Sequence, residues 1–262
     1  MTDHVAALVH AEIADRVATI TLNRPDKRNA LNDAMLRDFL AALDTVEADA
    51  SVRAVVLRGE GNSFCSGVDL AEKLTEQGTA GAVEFTLLLE AFTRLEHHPN
   101  PIVAVLQGTS LAGGWELALH CDVRFASPTA RFGMPLVRLG LVVPYPAATR
   151  LVQLAGAAAA TDLLLSGALI DGARAHQLGL VSHLVDEATL LSAARDYAAR
   201  LADLAPLSVR ETKRLLAHVI RTPESAEYEA FDRARRLVTA SEDTAEGLRA
   251  FLERRPARFS GR

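Results

Sequence analysis

Apolar positions in the first half of the chain follow two different periods. The segment ALVHAEIADRVATITLN carries two β-prone runs on either side of Ala14 and Asp15, which predicts an amino-terminal hairpin. From Asn32, a residue suited to cap a helix, apolar residues in DAMLRDFLAALDTVEADA recur at helical spacing, and RAVVLRG follows as a short buried strand. A second helical pattern, AVEFTLLLEAFTRLEHH, stops at PNP before the strand-like IVAVLQG. This half therefore predicts alternating strands and helices, with glycine-containing loops after the strands.

The second half of the chain is mainly helical in pattern. CDVRFAS and ARFGM are predicted as short strands, and alanine-rich helical segments follow to about residue 204. From Pro206, three amphipathic patterns succeed one another without a strand between them: LSVRETKRLLAHVI, ESAEYEAFDRARRLV and TAEGLRAFLERR. We therefore expect a core over residues 1–200 and a helical region over residues 201–262 that packs on the core or on a partner chain.

Composition and charge exclude several classes of protein. Of 262 residues, 49% are apolar and 23% charged, which is typical of a soluble globular chain, and a net charge of -5 gives no general attraction to nucleic acid or to an anionic membrane. The stretch Leu139 to Thr161 is interrupted by Pro144, Pro146 and Arg150, so it is a poor candidate for a membrane span. The amino terminus lacks the features of a secretory signal, and we expect a cytoplasmic protein.

Common catalytic and metal motifs are incomplete in this sequence. GEGNSF begins like a dinucleotide fingerprint, but Phe64 stands where the third glycine is required, and no Walker A loop is present. GTSLAG lacks a glycine of a nucleophile elbow, and the histidines lack the spacing of a zinc protease, so we expect no metal. Cys65 and Cys121 are expected to be free thiols, and a nucleophilic role for Cys121 is disfavoured.

Two glycine-containing loops that follow predicted strands, NSFCSGVDL and QGTSLAGGWEL, point to one family. Together with NRPDKRNALN, FGMP, RLGL, GLVSHLVD and FLERRPARF, they resemble the enoyl-CoA hydratase/isomerase (crotonase) superfamily over nearly the whole chain. The resemblance implies an α/β fold of the crotonase-like (ClpP/crotonase) type, a stacked ββα superhelix with a helical carboxy-terminal trimerisation region. It also implies a homotrimer or a dimer of trimers.

The chemistry of acyl-CoA thioesters fits these loops independently of the resemblance. Such reactions pass through a thioester enolate, and backbone amides in a glycine turn can stabilise the developing oxyanion. Gly67 and Gly113 would let the backbone approach the ligand closely. By resemblance, the two donors are the amides of Val68 and Gly113, and Glu116 is the general base. A glutamate in the first turn of a helix is also ordinary helix electrostatics, so Glu116 has a structural alternative.

The chain departs from the family pattern at one catalytic position. A hydratase with two carboxylates has its second glutamate after the proline of FGxP, and here that residue is Leu136. Asp69 and Glu90 could replace the missing acid, although a helix cap and a solvated helix face explain them more simply. We expect an enoyl-CoA hydratase acting through Glu116, and a one-base isomerase and a weakly catalytic acyl-CoA-binding protein stay open.

The resemblance also implies how the substrate binds. It requires no permanently bound cofactor, because the substrate is itself carried as a coenzyme A thioester. The residues expected to contact coenzyme A, the last two of them in a neighbouring subunit's site, are Arg24, Lys27, Arg28, Ala30, Ser66, Phe251 and Arg254. The residues expected to line the acyl pocket are Trp115, Leu136, Gly140 and Leu141. Leu136 and the segment after it could instead belong to the core, and for Trp115 the core is the favoured alternative.

Overall fold

The computed structural model describes residues 7–77, 85–204, 206–220, 236 and 239–258. Its strands are β1 (Val9–Ala14), β2 (Val17–Leu22), β3 (Ala54–Gly59), β4 (Ile102–Leu106), β5 (Thr109–Leu111), β6 (Val123–Ala126), β7 (Arg131–Gly133), β8 (Leu169–Asp171) and β9 (His183–Leu184). Its helices are α1 (Asp33–Ala48), α2 (Leu70–Gln77), α3 (Thr86–His97), α4 (Gly113–Leu119), α5 (Tyr145–Ser166), α6 (Gly172–Gln177), α7 (Leu190–Ala202), α8 (Pro206–Ile220) and α9 (Glu242–Leu252). Short 3₁₀ turns lie at Pro25–Lys27, Pro135–Leu139 and Glu187–Thr189.

A six-stranded sheet in the order β1-β2-β3-β4-β6-β9 carries the fold. β1 and β2 form the predicted antiparallel hairpin, whose turn places Asp15 and Arg16 at positive φ, as tight hairpin turns require. The remaining neighbours pair in parallel, with Ile20 beside Leu57 and Leu57 beside Ala104. Since parallel neighbours need a crossover connection, helices lie between these strands, as the alternating pattern predicted.

Burial on both faces explains the unbroken apolar runs of β3 and β4. Leu57 of β3 points into a large core shared with α1, whose cap Asn32 accepts a hydrogen bond of 2.9 Å from the Met35 amide. Val56 and Val103 face the opposite side, where they pack with the small residues of α7. The sheet is thus covered on both faces, which is usual for a parallel sheet.

A smaller sheet in the order β5-β7-β8 positions the loop before α4. Ser110 of β5 also forms a bridge with Cys65, which joins this sheet to the loop after β3. The sequence predicted none of the strands β5, β8 and β9. The three strands have only two or three residues, too few to show an alternating pattern.

The carboxy-terminal region contains two of the three predicted helices. α8 is held on the core by Lys213, whose Nζ lies 2.7 Å from Asp122 Oδ2. α9 packs on the turn Pro135–Leu139, and Thr244 Oγ1 donates to the Gly140 carbonyl at 2.7 Å. The pattern ESAEYEAFDRARRLV, apart from Arg236, lies outside the described residues. None of the described helices has both the length and the hydropathy needed to cross a bilayer.

Candidate active site

A cleft of about 600 Å³ lies between the loop after β3, the start of α4 and the end of α9. Polar and small residues in its wall are Asp26, Lys27, Arg28, Ala30, Ser66, Asp69, Ala71, Ala112, Gly113, Glu116, Thr239 and Arg254. Its larger apolar residues are Val68, Leu70, Phe85, Leu88, Leu111, Pro135, Leu136, Leu139, Leu141, Val142, Pro144 and Phe251. The two loops that the sequence singled out therefore contribute to one cavity.

The loop after β3 is fixed by backbone hydrogen bonds on both sides of Val68. The Leu31 amide donates to the Gly67 carbonyl, and the Asp69 amide donates to the Leu31 carbonyl, each at 2.8 Å. Gly67 has φ +97°, and a Cβ there would lie 2.9 Å from the Leu111 carbonyl oxygen. Glycine is therefore needed both for the conformation of this loop and for its close approach to Leu111.

The start of α4 has an unusual backbone. Ala112 has φ 45° and ψ -125°, a conformation that non-glycine residues rarely adopt, and its amide donates to the Gly133 carbonyl at 3.0 Å. Gly113 is the first residue of α4, so its amide has no acceptor within the helix. A Cβ on Gly114 would overlap the Cys65 carbonyl, so the second glycine lets α4 approach the loop after β3.

The Val68 and Gly113 amides lie on adjacent segments at the cleft. A Cβ on Gly113 would lie 3.5 Å from Val68 Cγ2, and one on Gly67 would lie 3.5 Å from the Gly113 nitrogen. Among the described residues, neither amide donates to a protein acceptor. Two neighbouring backbone donors without a protein acceptor are the arrangement that a carbonyl oxygen would need in order to be polarised.

Glu116 lies one helical turn from the Gly113 amide and is 2% exposed. Its backbone amide donates to the Ala112 carbonyl at 2.9 Å, and the position in the first turn of α4 favours a negative charge. Behind it, His120 Nδ1 donates to the Glu116 carbonyl at 2.8 Å and the His120 ring stacks on Phe92. Burial lowers the pKa of His120 to about 4, so this imidazole is neutral near pH 7. The helix therefore presents a carboxylate at the cleft and a neutral ring behind it.

The part of the cleft around Leu136 is apolar. Leu136, Leu139, Leu141 and Val142 follow one another along this wall. Leu136 follows the proline of FGMP, the position at which the resemblance implies a second glutamate in a hydratase with two carboxylates. Between Asp122 and Asp162 the sequence contains no acid that could replace it. The cleft thus has the carboxyl group of Glu116 on α4 and hydrocarbon around Leu136.

Asp69 and Glu90, the two acids considered as replacements for a second glutamate, lie in different places. Asp69 lines the cleft, but it caps α2 by accepting from the Glu72 amide at 3.3 Å, and its Oδ2 lies 3.1 Å from Arg24 Nη2. Glu90 is exposed on α3, and it is not part of the described wall of the cleft. Of the two acids, only Asp69 lines the cleft, and its carboxylate already caps α2 and pairs with Arg24.

Two residues expected in the acyl pocket lie elsewhere. Trp115 is 2% exposed and packs against Phe132, with the ring centroids 4.2 Å apart, which agrees with the alternative that it belongs to the core. Gly140 has φ +70° and lies against α9, where a Cβ would be 2.7 Å from the Asp243 carbonyl oxygen. Leu136 and Leu141 do line the cleft.

The residues expected to meet coenzyme A are mostly at the cleft. Exposed cations in its wall are Lys27, Arg28 and Arg254, and Ala30, Ser66 and Phe251 also line it. In this structure Phe251 and Arg254 border the cleft of their own chain, whereas the sequence placed them in a neighbour's site. Arg24 does not line the cleft, because its guanidinium is turned toward Ala30 and Asp69. The cations at the cleft could hold phosphate groups.

Three residues in or beside the site, Phe85, Leu88 and Asn29, could not be identified from the sequence. Phe85 and Leu88 enter the cleft from the start of α3 and share that helix's apolar pattern with core residues. Asn29 is fully buried, and its Nδ2 donates to the carbonyls of Glu60, Ser63 and Phe64. Its place in NRPDKRNALN was the only available hint of this role.

Neither cysteine is suited to catalysis. Cys65 and Cys121 are free, as expected. Both are buried, and burial raises the pKa of each thiol to about 12. A thiol that stays protonated near pH 7 is a poor nucleophile and a poor metal ligand. The described residues also contain no group of three or more histidine, cysteine or acidic side chains that could hold a metal ion.

Comparisons with known proteins show the family and the fold of this chain. The model of the enoyl-CoA hydratase/isomerase family matches residues 12–262. A 2,3-dehydroadipyl-CoA hydratase from Escherichia coli K12 is 35% identical over 250 residues, which cover 94% of this chain and 96% of the relative. Among solved structures, a methylmalonyl-CoA decarboxylase in complex with 2-nitronate-propionyl-CoA has a TM-score of 0.89 at 27% identity, covering 97% of this chain and 99% of that one.

A second solved structure has a higher sequence identity. An enoyl-CoA hydratase/isomerase from Xanthobacter autotrophicus Py2 has a TM-score of 0.86 at 34% identity, covering 98% of this chain and all of that one. Because these similarities extend over both chains almost completely, the predicted crotonase-like α/β fold is confirmed.

Proposed function

Because this chain belongs to the enoyl-CoA hydratase/isomerase family, we propose that it is an enoyl-CoA hydratase with Glu116 as its general base. The observation that carries this proposal is the shared cleft of Glu116 and the amides of Val68 and Gly113. A buried carboxylate beside two backbone donors is suited to moving protons next to a thioester carbonyl. The substrate is a 2-enoyl thioester of coenzyme A, and the reaction needs no resident cofactor.

In the proposed reaction, the thioester oxygen accepts hydrogen bonds from the Val68 and Gly113 amides. Glu116 takes a proton from water as the water oxygen bonds to C3, and the electron pair of the double bond moves toward the thioester oxygen as an enolate. The same carboxyl group then returns its proton to C2, which forms the 3-hydroxyacyl thioester and restores the Glu116 carboxylate. One carboxylate therefore serves as base and then as acid.

Substrate binding would use both ends of the cleft. Lys27, Arg28 and Arg254 would attract the phosphates of coenzyme A, with Ala30 and Ser66 along its length. The apolar wall around Leu136 would receive the acyl chain. The helical region over residues 201–262 would mediate assembly into trimers or dimers of trimers, which light scattering of the purified protein would test.

Leu136 favours a second candidate, a one-base enoyl-CoA isomerase. An isomerase carries a proton between C4 and C2 and needs neither a bound water nor a second acid. A hydrocarbon wall at position 136 offers no hydrogen bond to a water molecule. The products of the two reactions differ, because a hydratase forms a 3-hydroxyacyl-CoA and an isomerase a 3-enoyl-CoA.

The test is the absorbance of the conjugated thioester when purified protein meets a 2-enoyl-CoA. We expect rapid loss of absorbance with formation of 3-hydroxyacyl-CoA, and a large reduction of this rate in Glu116→Gln. The matched control is Glu90→Gln, which changes an exposed carboxylate on α3 and should leave the rate unchanged. Formation of 3-enoyl-CoA alone would support the isomerase, and saturable binding without turnover would reject both reactions.

A further inference from the structure

We propose that Arg24 is a positioning residue, which holds the Val68 amide in place and does not bind coenzyme A. The proposal rests on the function proposed above, in which Val68 is one of the two oxyanion donors. It assigns a specific task to a cation that the sequence had placed at the coenzyme.

The guanidinium of Arg24 is occupied by the protein on two sides. Its Nη1 donates to the Ala30 carbonyl at 2.6 Å, and its Nη2 donates to Asp69 Oδ2 at 3.1 Å. Glu72 Oε2 lies 3.7 Å from the same Nη2, and the Arg24 and Asp69 side chains are each 14% exposed. A guanidinium engaged in this way has little surface left for a phosphate.

These contacts tie together the two segments that hold Val68. Ala30 precedes Leu31, whose amide and carbonyl bond to Gly67 and Asp69, the two neighbours of Val68. Arg24 joins the same two segments a second time, through the Ala30 carbonyl and the Asp69 carboxylate. The position of the Val68 amide is therefore determined by a backbone bridge and by a side-chain clamp.

Arg24 is itself fixed by its own loop. Its backbone amide donates to Asn29 Oδ1 at 2.9 Å, and its carbonyl accepts from the Asn29 amide at 2.9 Å. Asn29 is buried and bonded to the segment before Cys65, so the clamp is anchored in the core. A lysine would keep the charge, but its single ammonium lacks the planar fork that reaches two separate acceptors.

Loss of the clamp should act on the chemical step. Without Arg24, the half-buried Asp69 carboxylate would lose its cation and would draw solvent or other partners toward the loop beside Val68. A donor misplaced by about 1 Å can cost roughly 10²-fold in rate. Because the thioester oxygen is charged in the transition state more than in the bound substrate, kcat should fall while KM changes little.

The experiment compares Arg24→Met and Arg24→Lys with the wild type. We expect kcat to fall by about 10-fold or more in both variants, with KM for a 2-enoyl-CoA within about 2-fold of wild type. The second readout is the red shift of a bound cinnamoyl-CoA chromophore, which reports polarisation of the thioester carbonyl. It should be present in the wild type and smaller in both variants.

The matched control is Arg94→Met. Arg94 also pairs with two carboxylates, with 2.8 Å to Asp44 and 3.0 Å to Glu47, but it lies away from the cleft wall. Its substitution should leave kcat and the red shift unchanged. Arg24→Lys keeps a cation beside Asp69, so it is the variant to assay if Arg24→Met does not fold.

The outcomes separate this proposal from the proposed function. A higher KM with unchanged kcat and an unchanged red shift would mean that Arg24 binds the coenzyme, and unchanged values of all three would mean that it positions nothing. Either result would overturn the positioning role. If the wild type binds cinnamoyl-CoA without a red shift, the oxyanion donors themselves are wrongly assigned and the proposed function fails first.

Discussion

Substitution of Gly67 by alanine perturbs the site through the backbone next to Val68. Gly67 has φ +97°, a region that side chains with a Cβ rarely adopt, so Gly67→Ala strains the loop. The new methyl group would also lie 2.9 Å from the Leu111 carbonyl oxygen, where ordinary contacts begin at 3.4 Å. The loop after β3 must therefore move away from the segment that leads into α4.

The two effects have different magnitudes. The backbone strain costs about 1–3 kcal/mol of stability, and each kcal/mol lowers Tm by roughly 2–4 °C in a protein of this size. Relief of the close contact requires a displacement of about 0.5 Å, and loss of alignment of one oxyanion donor should lower kcat/KM by about 10–10²-fold. The loss of activity should thus exceed anything that the loss of stability explains at 25 °C.

Thermal unfolding and 2-enoyl-CoA turnover measure the two effects separately. The matched control is Gly179→Ala, since Gly179 has φ +74° and its added Cβ would lie 3.2 Å from a carbonyl oxygen, that of Leu154, outside the cleft wall. Both variants should lose a similar amount of Tm, and only Gly67→Ala should lose activity. Equal activity of the two variants would refute the role given to the Val68 amide.

Three further predictions concern the catalytic acid, the coenzyme and the thiols. Leu136→Glu should raise the hydration rate by about 10-fold or more relative to Leu136→Gln, because the glutamate supplies a second acid. Equal hydration rates of these two variants would show that position 136 is not near the reacting carbons. Arg28→Gln and Arg254→Gln should raise KM for a coenzyme A thioester several-fold but leave KM for an N-acetylcysteamine thioester, which lacks the phosphates, unchanged. A similar rise in KM for both substrates would show that these arginines do not act by binding phosphate. Cys65 and Cys121, with pKa values raised to about 12, should resist alkylation at pH 8 until the protein unfolds, and rapid alkylation of the native protein would contradict their burial. Because the thiols of the unfolded chain titrate near 9, the free energy of unfolding should fall as pH rises from about 9 toward 12.

The elements predicted correctly from the sequence are those whose pattern is set by burial alone. α1 shows one buried face and a capping asparagine, and β4 and residues 54–57 of β3 are apolar because the sheet is covered on both sides. The strand Thr109–Leu111 could not be predicted, because its three residues form a strand only through pairing with Arg131–Gly133 and the bridge from Ser110 to Cys65. Short strands depend on partners distant in sequence.

The residues of the candidate site divide in the same way, into those that the sequence itself reveals and those whose contacts depend on folding. Glu116 and the glycines of two loops could be selected because the loops resemble those of one family, and because a carboxylate follows two glycines at the head of an otherwise apolar stretch. The task of Arg24 could not be read from the sequence, since Asp69 becomes its partner only when the loop after β3 folds back on Leu31. Trp115 was ambiguous for a similar reason, because its contact with Phe132 decides that it belongs to the core.

The most direct test of the account is a crystal structure of Glu116→Gln with a 2-enoyl-CoA bound. We expect the thioester oxygen within about 3.1 Å of both the Val68 and Gly113 nitrogens, with the substituted side chain beside the double bond and the acyl chain along Leu136. A thioester bound away from these two amides would contradict it, whatever the activity of the wild type.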